Sequence, residues 1–274
     1  MVYTLLNTDY ADSSACFIRK ATQFLVGSVG WNVFTTISGE TDSQDQVLYS
    51  LVSGVTSSGT TVSGGFCIRL KSEDSYVNLF GYDNCTVVDG AVTDYDGEVY
   101  DLTYSKVFCP ATEFKYWLFA DETHIKFVFR DFSDDNFYHG YLGLIESVYD
   151  AGDDLIPILS FGTTTSGNNW EDGLSCTMRA SNNLLYSYKI WVPYSLDYAS
   201  SLRVPQAVAG VRPILYYEGL RKEVRGVPKG VLKIPNDKGG NGTEYITSSG
   251  TYYAFNRCGA ENKVYMYGPV EIGA

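Results

Sequence analysis

Two histidines, His124 and His139, are the only imidazoles in this 274-residue chain, and they bound its acid–base chemistry. A serine, threonine or cysteine nucleophile working near neutral pH needs an adjacent base that a third group orients. His124 opens an alternating apolar run, and His139 lies inside an aromatic one. No G-x-S-x-G elbow occurs. Both imidazoles are therefore expected to be structural, and the chain is expected not to be an enzyme. The carboxylates are more numerous and less specific. Asp94-Tyr-Asp96-Gly97-Glu98 resembles part of a calcium loop, but Val92 stands where the preceding acid belongs and the distant bidentate Glu is missing. Asp131, Asp134 and Asp135, and then Asp150, Asp153 and Asp154, are expected to be solvated acidic turns. No metal site and no cofactor are expected. Among 32 acids a glycosidase pair would arise by chance, so a glycosidase is the weakest of the readings kept open.

The six cysteines are Cys16, Cys67, Cys85, Cys109, Cys176 and Cys258; their wide spacing contains no C-x-x-C pair. Zinc-ribbon and thioredoxin chemistry thus lose their main support, and buried free thiols are the expected state. Trp31, Trp117, Trp170 and Trp191, with 23 tyrosines, could form stacking platforms for a sugar. The same residue types also concentrate at protein interfaces. Leu220 to Pro235 is a run of basic residues in an otherwise acidic chain. Its Arg221, Lys222, Arg225 and Lys229 are the candidate inter-subunit contacts, docking on the acidic part of a neighbouring copy.

Short strands are expected to position these groups. Gln46–Val52, Gly65–Leu70, Ser75–Phe80, Glu113–Phe119 and His124–Phe129 read as strands, the last with Ile125, Phe127 and Phe129 on one face. Phe24 to Phe34 also reads as strand-like, interrupted by Gly27 and Gly30. Leu184–Val192, Val211–Tyr217 and Gly230–Ile234 follow, and Thr251–Phe255 with Lys263–Tyr267 reads as a closing hairpin. Turn signals fall at Ser53-Gly54, Ser58-Gly59, Asp83-Asn84, Asp89-Gly90, Asp96-Gly97 and Ala120–Glu122. Asp237–Gly242 reads as a loop, and the weak helix candidate is Ser195 to Arg203. Strands at roughly 8–12-residue spacing predict an all-β fold, a β-sandwich or barrel-like, with two β domains possible.

Composition agrees: Tyr, Phe, Val and Thr suit a half-buried pleated surface, and 27 glycines suit many turns. The formal net charge of −12 argues against nucleic acid as a partner. The charge is uneven. Residues 1–165 hold 23 acids and 8 bases, and residues 166–274 hold 9 and 12. With the polar stretch Thr163 to Asn169, this suggests an acidic sandwich-like domain over 1–165 and a smaller, mildly basic β domain over 166–274. The start of the chain lacks the basic and apolar pattern of a signal peptide, and no run of about 18 apolar residues predicts a membrane span.

Two segments resemble tailed-bacteriophage virion structural proteins of the tail, neck (collar) or baseplate. One is Asn136-Phe-Tyr-His-Gly-Tyr-Leu-Gly-Leu-Ile-Glu146 followed by Ile156-Pro-Ile-Leu-Ser-Phe-Gly162. The other runs from Tyr217-Glu-Gly-Leu220 through Gly226-Val-Pro-Lys-Gly-Val-Leu-Lys-Ile-Pro235 to Gly250-Thr-Tyr-Tyr-Ala-Phe255, with a turn, a Gly-rich loop and a closing aromatic strand. The resemblance covers about a third of the chain. It implies a β-rich homo-oligomer in the virion, bound to other virion proteins and assembled in the bacterial host cytoplasm. It transfers no catalytic residue. A carbohydrate-binding module that contacts a host receptor is the alternative.

Overall fold

The structure is a computed structural model that describes residues 4–55, 61–100, 105–133, 135–147, 158–164, 175–179, 185–191, 214–217, 223–234, 241–247, 250–257 and 260–270. Among the described residues the fold is all-β apart from one α-helix and the π-helical turn that continues it, with antiparallel sheets packed face to face.

Strand β1 (Leu5–Ala11) leads into helix α1 (Ser14–Phe24). Ser13 caps the helix, its Oγ accepting from Cys16 N at 3.2 Å. Phe17, Ile18, Ala21 and Leu25 recur at helical spacing and are all fully buried. A π-helical turn over Leu25–Val29 ends at Gly30, whose φ of +92° suits glycine. Only from Asn32 does the chain extend. The strand-like reading of Phe24 to Phe34 is thus corrected at its first half, where the apolar stripe continues the helix.

A five-strand meander follows: β2 (Asn32–Gly39), β3 (Gln44–Val55), β4 (Thr61–Glu73), β5 (Tyr76–Val88) and β6 (Ala91–Val99). The short β7 (Lys106–Phe108) pairs with the start of β5 on the side that β6 takes further along. Asp89 and Gly90, both at positive φ, make the two-residue hairpin between β5 and β6. Three expected turns do not turn. Ser53-Gly54 lies within β3, Asp83-Asn84 within β5, and Asp96-Gly97 within β6, with Asn84 opposite Asp96 in the ladder.

The largest sheet takes β1 and nine later strands: β8 (Phe114–Ala120), β9 (His124–Arg130), β10 (Phe137–Leu144), β11 (Glu146–Ser147), β12 (Ile158–Gly162), β13 (Ser175–Arg179), β14 (Leu185–Trp191), β15 (Ile214–Tyr217) and β16 (Glu223–Val227). Their order is β1-β8-β9-β10-β12-β13-β14-β15-β16-β11. Strand β11 begins two residues after β10 ends, yet its partner is β16, five places along the sheet from β10. Two residues span only about 7 Å. The sheet must therefore curl until β16 returns beside the continuation of β10, which gives the fold its barrel-like part. Hydrogen bonds run from β12 to β13 across the position where the charge balance of the sequence changes.

The last four strands, β17 (Val231–Ile234), β18 (Asn241–Thr247), β19 (Gly250–Arg257) and β20 (Ala260–Val270), form a sheet in the order β17-β20-β19-β18. The expected closing hairpin is present as β19 and β20.

These sheets make three layers. One face of the central sheet (Phe114, Tyr116, Leu118, Ile125, Phe127, Phe129, Tyr138, Leu142) packs on α1 and on the inner face of the meander. The opposite face (Trp117, Phe119, Val128, Phe137, Tyr141, Phe161) packs on Val231, Phe255, Tyr265 and Tyr267 of the last sheet. Strand β10 is buried along its whole length. Most antiparallel sheets keep one face in water; here strands β8, β9, β10 and β12 are covered on both.

Candidate functional site

Covering both faces of β9 and β10 traps the polar side chains that alternate with their apolar ones, except Arg130 at the end of β9. His124, Lys126 and His139 all face the last sheet, and none is more than 1% exposed. The imidazoles singled out in the sequence therefore sit in one interior seam.

The seam begins at the β8–β9 turn. Asp121 Oδ1 accepts from Thr123 N at 2.7 Å, Thr123 Oγ1 at 2.6 Å and His124 N at 3.0 Å. The carboxylate thus closes the turn locally. The same device recurs at the other end of β9, where Asp131 Oδ1 accepts from Ser133 N and Oγ. His124 Nδ1 lies 3.0 Å from Asp121 Oδ1 and 3.1 Å from Thr123 Oγ1. The ring stacks on Tyr141 at a centroid distance of 5.4 Å, and its Nε2 is buried without a hydrogen-bond partner. Burial pushes the His124 pKa down; Asp121 pulls it up by charge and hydrogen bond, but not enough to reverse the burial, to which the cations of Lys126 and Lys229 add. We assign a neutral ring with the proton on Nδ1, donating to Asp121, because a bare Nε2 lone pair is easier to bury unpaired than an N–H. Burial works to raise the Asp121 carboxyl, but the hydrogen bonds it accepts from His124 and Thr123 act the other way and hold it below the usual carboxylate range.

Asp, His and Thr in contact are the residue types of a nucleophile relay. In such a relay the two ring nitrogens serve different partners, one the carboxylate and the other the nucleophile. Here the carboxylate and the hydroxyl address the same nitrogen. This cluster fixes a turn and does not activate Thr123.

Lys126, next on the same face, donates to three backbone carbonyls: Lys229 O at 3.2 Å, Gly230 O at 3.1 Å and Gly268 O at 3.3 Å. Its ammonium thus ties the central sheet to the turn before β17 and to β20. Burial lowers its pKa to about 7. His139 is held at both nitrogens: Nε2 lies 2.9 Å from Asn256 O and Nδ1 2.7 Å from Tyr267 Oη. A carbonyl can only accept, so Nε2 carries the proton and Nδ1 accepts from the tyrosine. Burial lowers the His139 pKa to about 4.

The basic segment is placed only in part. Arg221 and Lys222 lie outside the described residues. Arg225 sits in β16 at the register shift between Leu215↔Gly226 and Tyr216↔Val224, opposite no residue of β15. Lys229 is half-buried, its ammonium donating to Thr123 Oγ1 at 3.0 Å and its backbone N–H to Tyr141 Oη at 3.2 Å. These bonds lie within the chain. The Asp94–Glu98 acids lie on β6, an extended strand that cannot wrap a cation as a loop does. Among the described residues no three His, Cys, Asp or Glu gather as a metal site, and no helix is long and apolar enough to cross a membrane. Trp31 and Trp117 are buried, so neither offers a ring to a sugar. Trp170 lies outside the described residues, as do Ser195 to Arg203 and the Asp150–Asp154 cluster.

The surface feature absent from the sequence reading is β2. It is an edge strand of the meander, and its sequence Asn-Val-Phe-Thr-Thr-Ile-Ser-Gly has no charge and no proline. Val33 and Ile37 are exposed at 42% and 54%. Edge strands are usually blunted by lysine, proline, bulges or a covering element. Among the described residues, two register shifts along β2 are the only such device. At the edge of the last sheet, β18 carries Ile246 at 75% exposure.

The chain matches no protein-family model and no curated protein sequence.

Proposed function

We propose that this protein is a non-enzymatic structural component of a bacteriophage particle, in the tail, neck or baseplate, that assembles with copies of itself and with neighbouring virion proteins. The observation that carries the assembly reading is β2, an uncharged eight-residue edge strand with exposed Val33 and Ile37. Its unpaired backbone groups and apolar side chains suit addition of a strand from another chain. The phage assignment rests on the resemblance of the Asn136–Gly162 and Tyr217–Phe255 segments to virion proteins. The uneven charge of the chain would orient neighbours, with Arg221, Lys222 and Arg225 as the basic contacts. Lys229, already bonded to Thr123, contributes less to that contact.

Light scattering after gel filtration, at low and moderate salt, tests the assembly. A stable multiple of the 30.4 kDa chain is expected. Ile37→Lys should lower the mass towards the monomer without changing the far-UV spectrum. A monomer at every salt, unchanged by Ile37→Lys, would overturn self-assembly through β2. For the particle, charge reversal at Arg221 and Arg225 should lower the yield, and an unchanged yield counts against the basic contact.

A further inference from the structure

The meander contains a pair of sulfurs that the assembly reading does not use. The β4–β5 ladder ends at the pair Cys67↔Tyr82, and three residues further along β5 the Cys85 sulfur lies 3.1 Å from Cys67 Sγ. Cys85 Sγ is also 3.9 Å from Tyr82 O. Cys67 is fully buried, whereas Cys85 is half-buried. Around them Phe80, Tyr82, Val92, Tyr49 and Tyr95 form an apolar cluster separate from the two main cores.

We propose that Cys67 and Cys85 are a dithiol redox site that small disulfides of the glutathione type oxidise to an intramolecular disulfide. A disulfide needs sulfurs about 2.05 Å apart. The present separation requires a closure of roughly 1 Å, within the reach of side-chain torsions. The two residues are 18 apart in sequence, on two strands paired up to the Cys67↔Tyr82 rung.

The order of steps follows from exposure. The hydrogen bond with Cys85, and then burial, push the Cys67 thiol up, so Cys67 resists ionisation and the first attack belongs to the half-exposed Cys85. The Cys85 thiolate attacks one sulfur of the small disulfide. A mixed disulfide forms on Cys85, and one small thiol leaves with the Cys85 proton. Cys67 Sγ then attacks Cys85 Sγ, the bond to the small molecule breaks, and the second small thiol leaves with the Cys67 proton. The protein loses two hydrogens and two electrons, and the small disulfide is reduced to two thiols. The result ties β4 to β5 beyond the last rung of their ladder.

The test is to equilibrate the folded full-length chain in buffers of graded glutathione and glutathione disulfide. The thiols are then quenched in acid, the chain is unfolded and alkylated, and the peptides are mapped by mass spectrometry. The expected result is a disulfide-linked peptide joining Cys67 to Cys85, reversed at the reducing end, with Cys16 and Cys109 alkylated throughout. Alkylation of both Cys67 and Cys85 at every ratio would overturn the proposal. So would glutathione retained on Cys85 without the internal bond. Cys85→Ser, at the half-exposed position, tests the order: modification of Cys67 should slow by about tenfold or more. An unchanged Cys67 rate would overturn the assigned relay.

Discussion

At the scale of single residues, the buried polar seam makes stability depend on pH in a direction that can be worked out. The His139 pKa lies near 4 in the folded chain and near 6.5 when exposed. Between those values the unfolded chain binds more protons, so stability rises with pH; it is complete above about 6.5 and is lost as pH falls towards 4. The loss is on the order of 3 kcal/mol. His139→Gln keeps a donor for Asn256 O and an acceptor for Tyr267, and should flatten this part of a urea-midpoint profile. Lys126 has the same sign in another window. Its folded value near 7 lies below the ordinary 10.5, so stability should climb between them. Lys126→Met removes the climb and leaves three carbonyls without their donor. The deficit of the variant should therefore widen from pH 7 to pH 10, and a constant deficit would show that Lys126 does not titrate there. Neither lysine nor histidine announces its burial in the sequence. A polar residue alternating with apolar ones reads as solvent-facing, and only the second covering layer reverses that.

At the scale of elements, α1 is the clearest departure from the sequence reading. Its apolar positions at 17, 18, 21 and 25 have helical spacing, but Gly27 and Gly30 close behind them suggested a broken strand. The two glycines instead serve the π-turn and the left-handed exit. The helix plugs one end of the first core: Phe17 lies 4.6–5.1 Å from the rings of Tyr116, Phe127 and Phe129. Phe17→Ala should cost about 3–5 kcal/mol, against about 1 kcal/mol for removal of the cap in Ser13→Ala, both read as shifts in denaturant midpoint. The turn before β17 is equally constrained. Gly230 has φ of +61°, and a Cβ there would collide with Gly268 O and Lys126 Nζ. Gly230→Ala should destabilise by roughly 2–4 kcal/mol, and a neutral effect would show that this turn adjusts freely.

At the scale of the whole molecule, the sequence halves share what holds them. The outer face of the central sheet is covered by Val231, Phe255, Tyr265 and Tyr267, all from the later half. Thr4, near the start of the chain, pairs with Val270 in a parallel bridge. A fragment of residues 1–165 would expose Trp117, Phe119, Phe137, Tyr141 and Phe161 to water, and should bind a hydrophobic dye and unfold without cooperativity. A sharp thermal transition in that fragment would show that the acidic part is an independent domain.

The sequence by itself determined the β character, most strand positions, the closing hairpin and the presence of only two imidazoles. Alternation, turn residues and residue counts are local properties, legible one window at a time. It also marked His124 and His139, but not where they point. Only the tertiary structure decided that β9 and β10 are covered on both faces, that the sheet curls to bring β16 beside β11, that Cys67 meets Cys85, and that β2 is left at an edge. Each depends on which distant strand lies alongside, and strand pairing across tens of residues leaves no mark in the spacing of either strand.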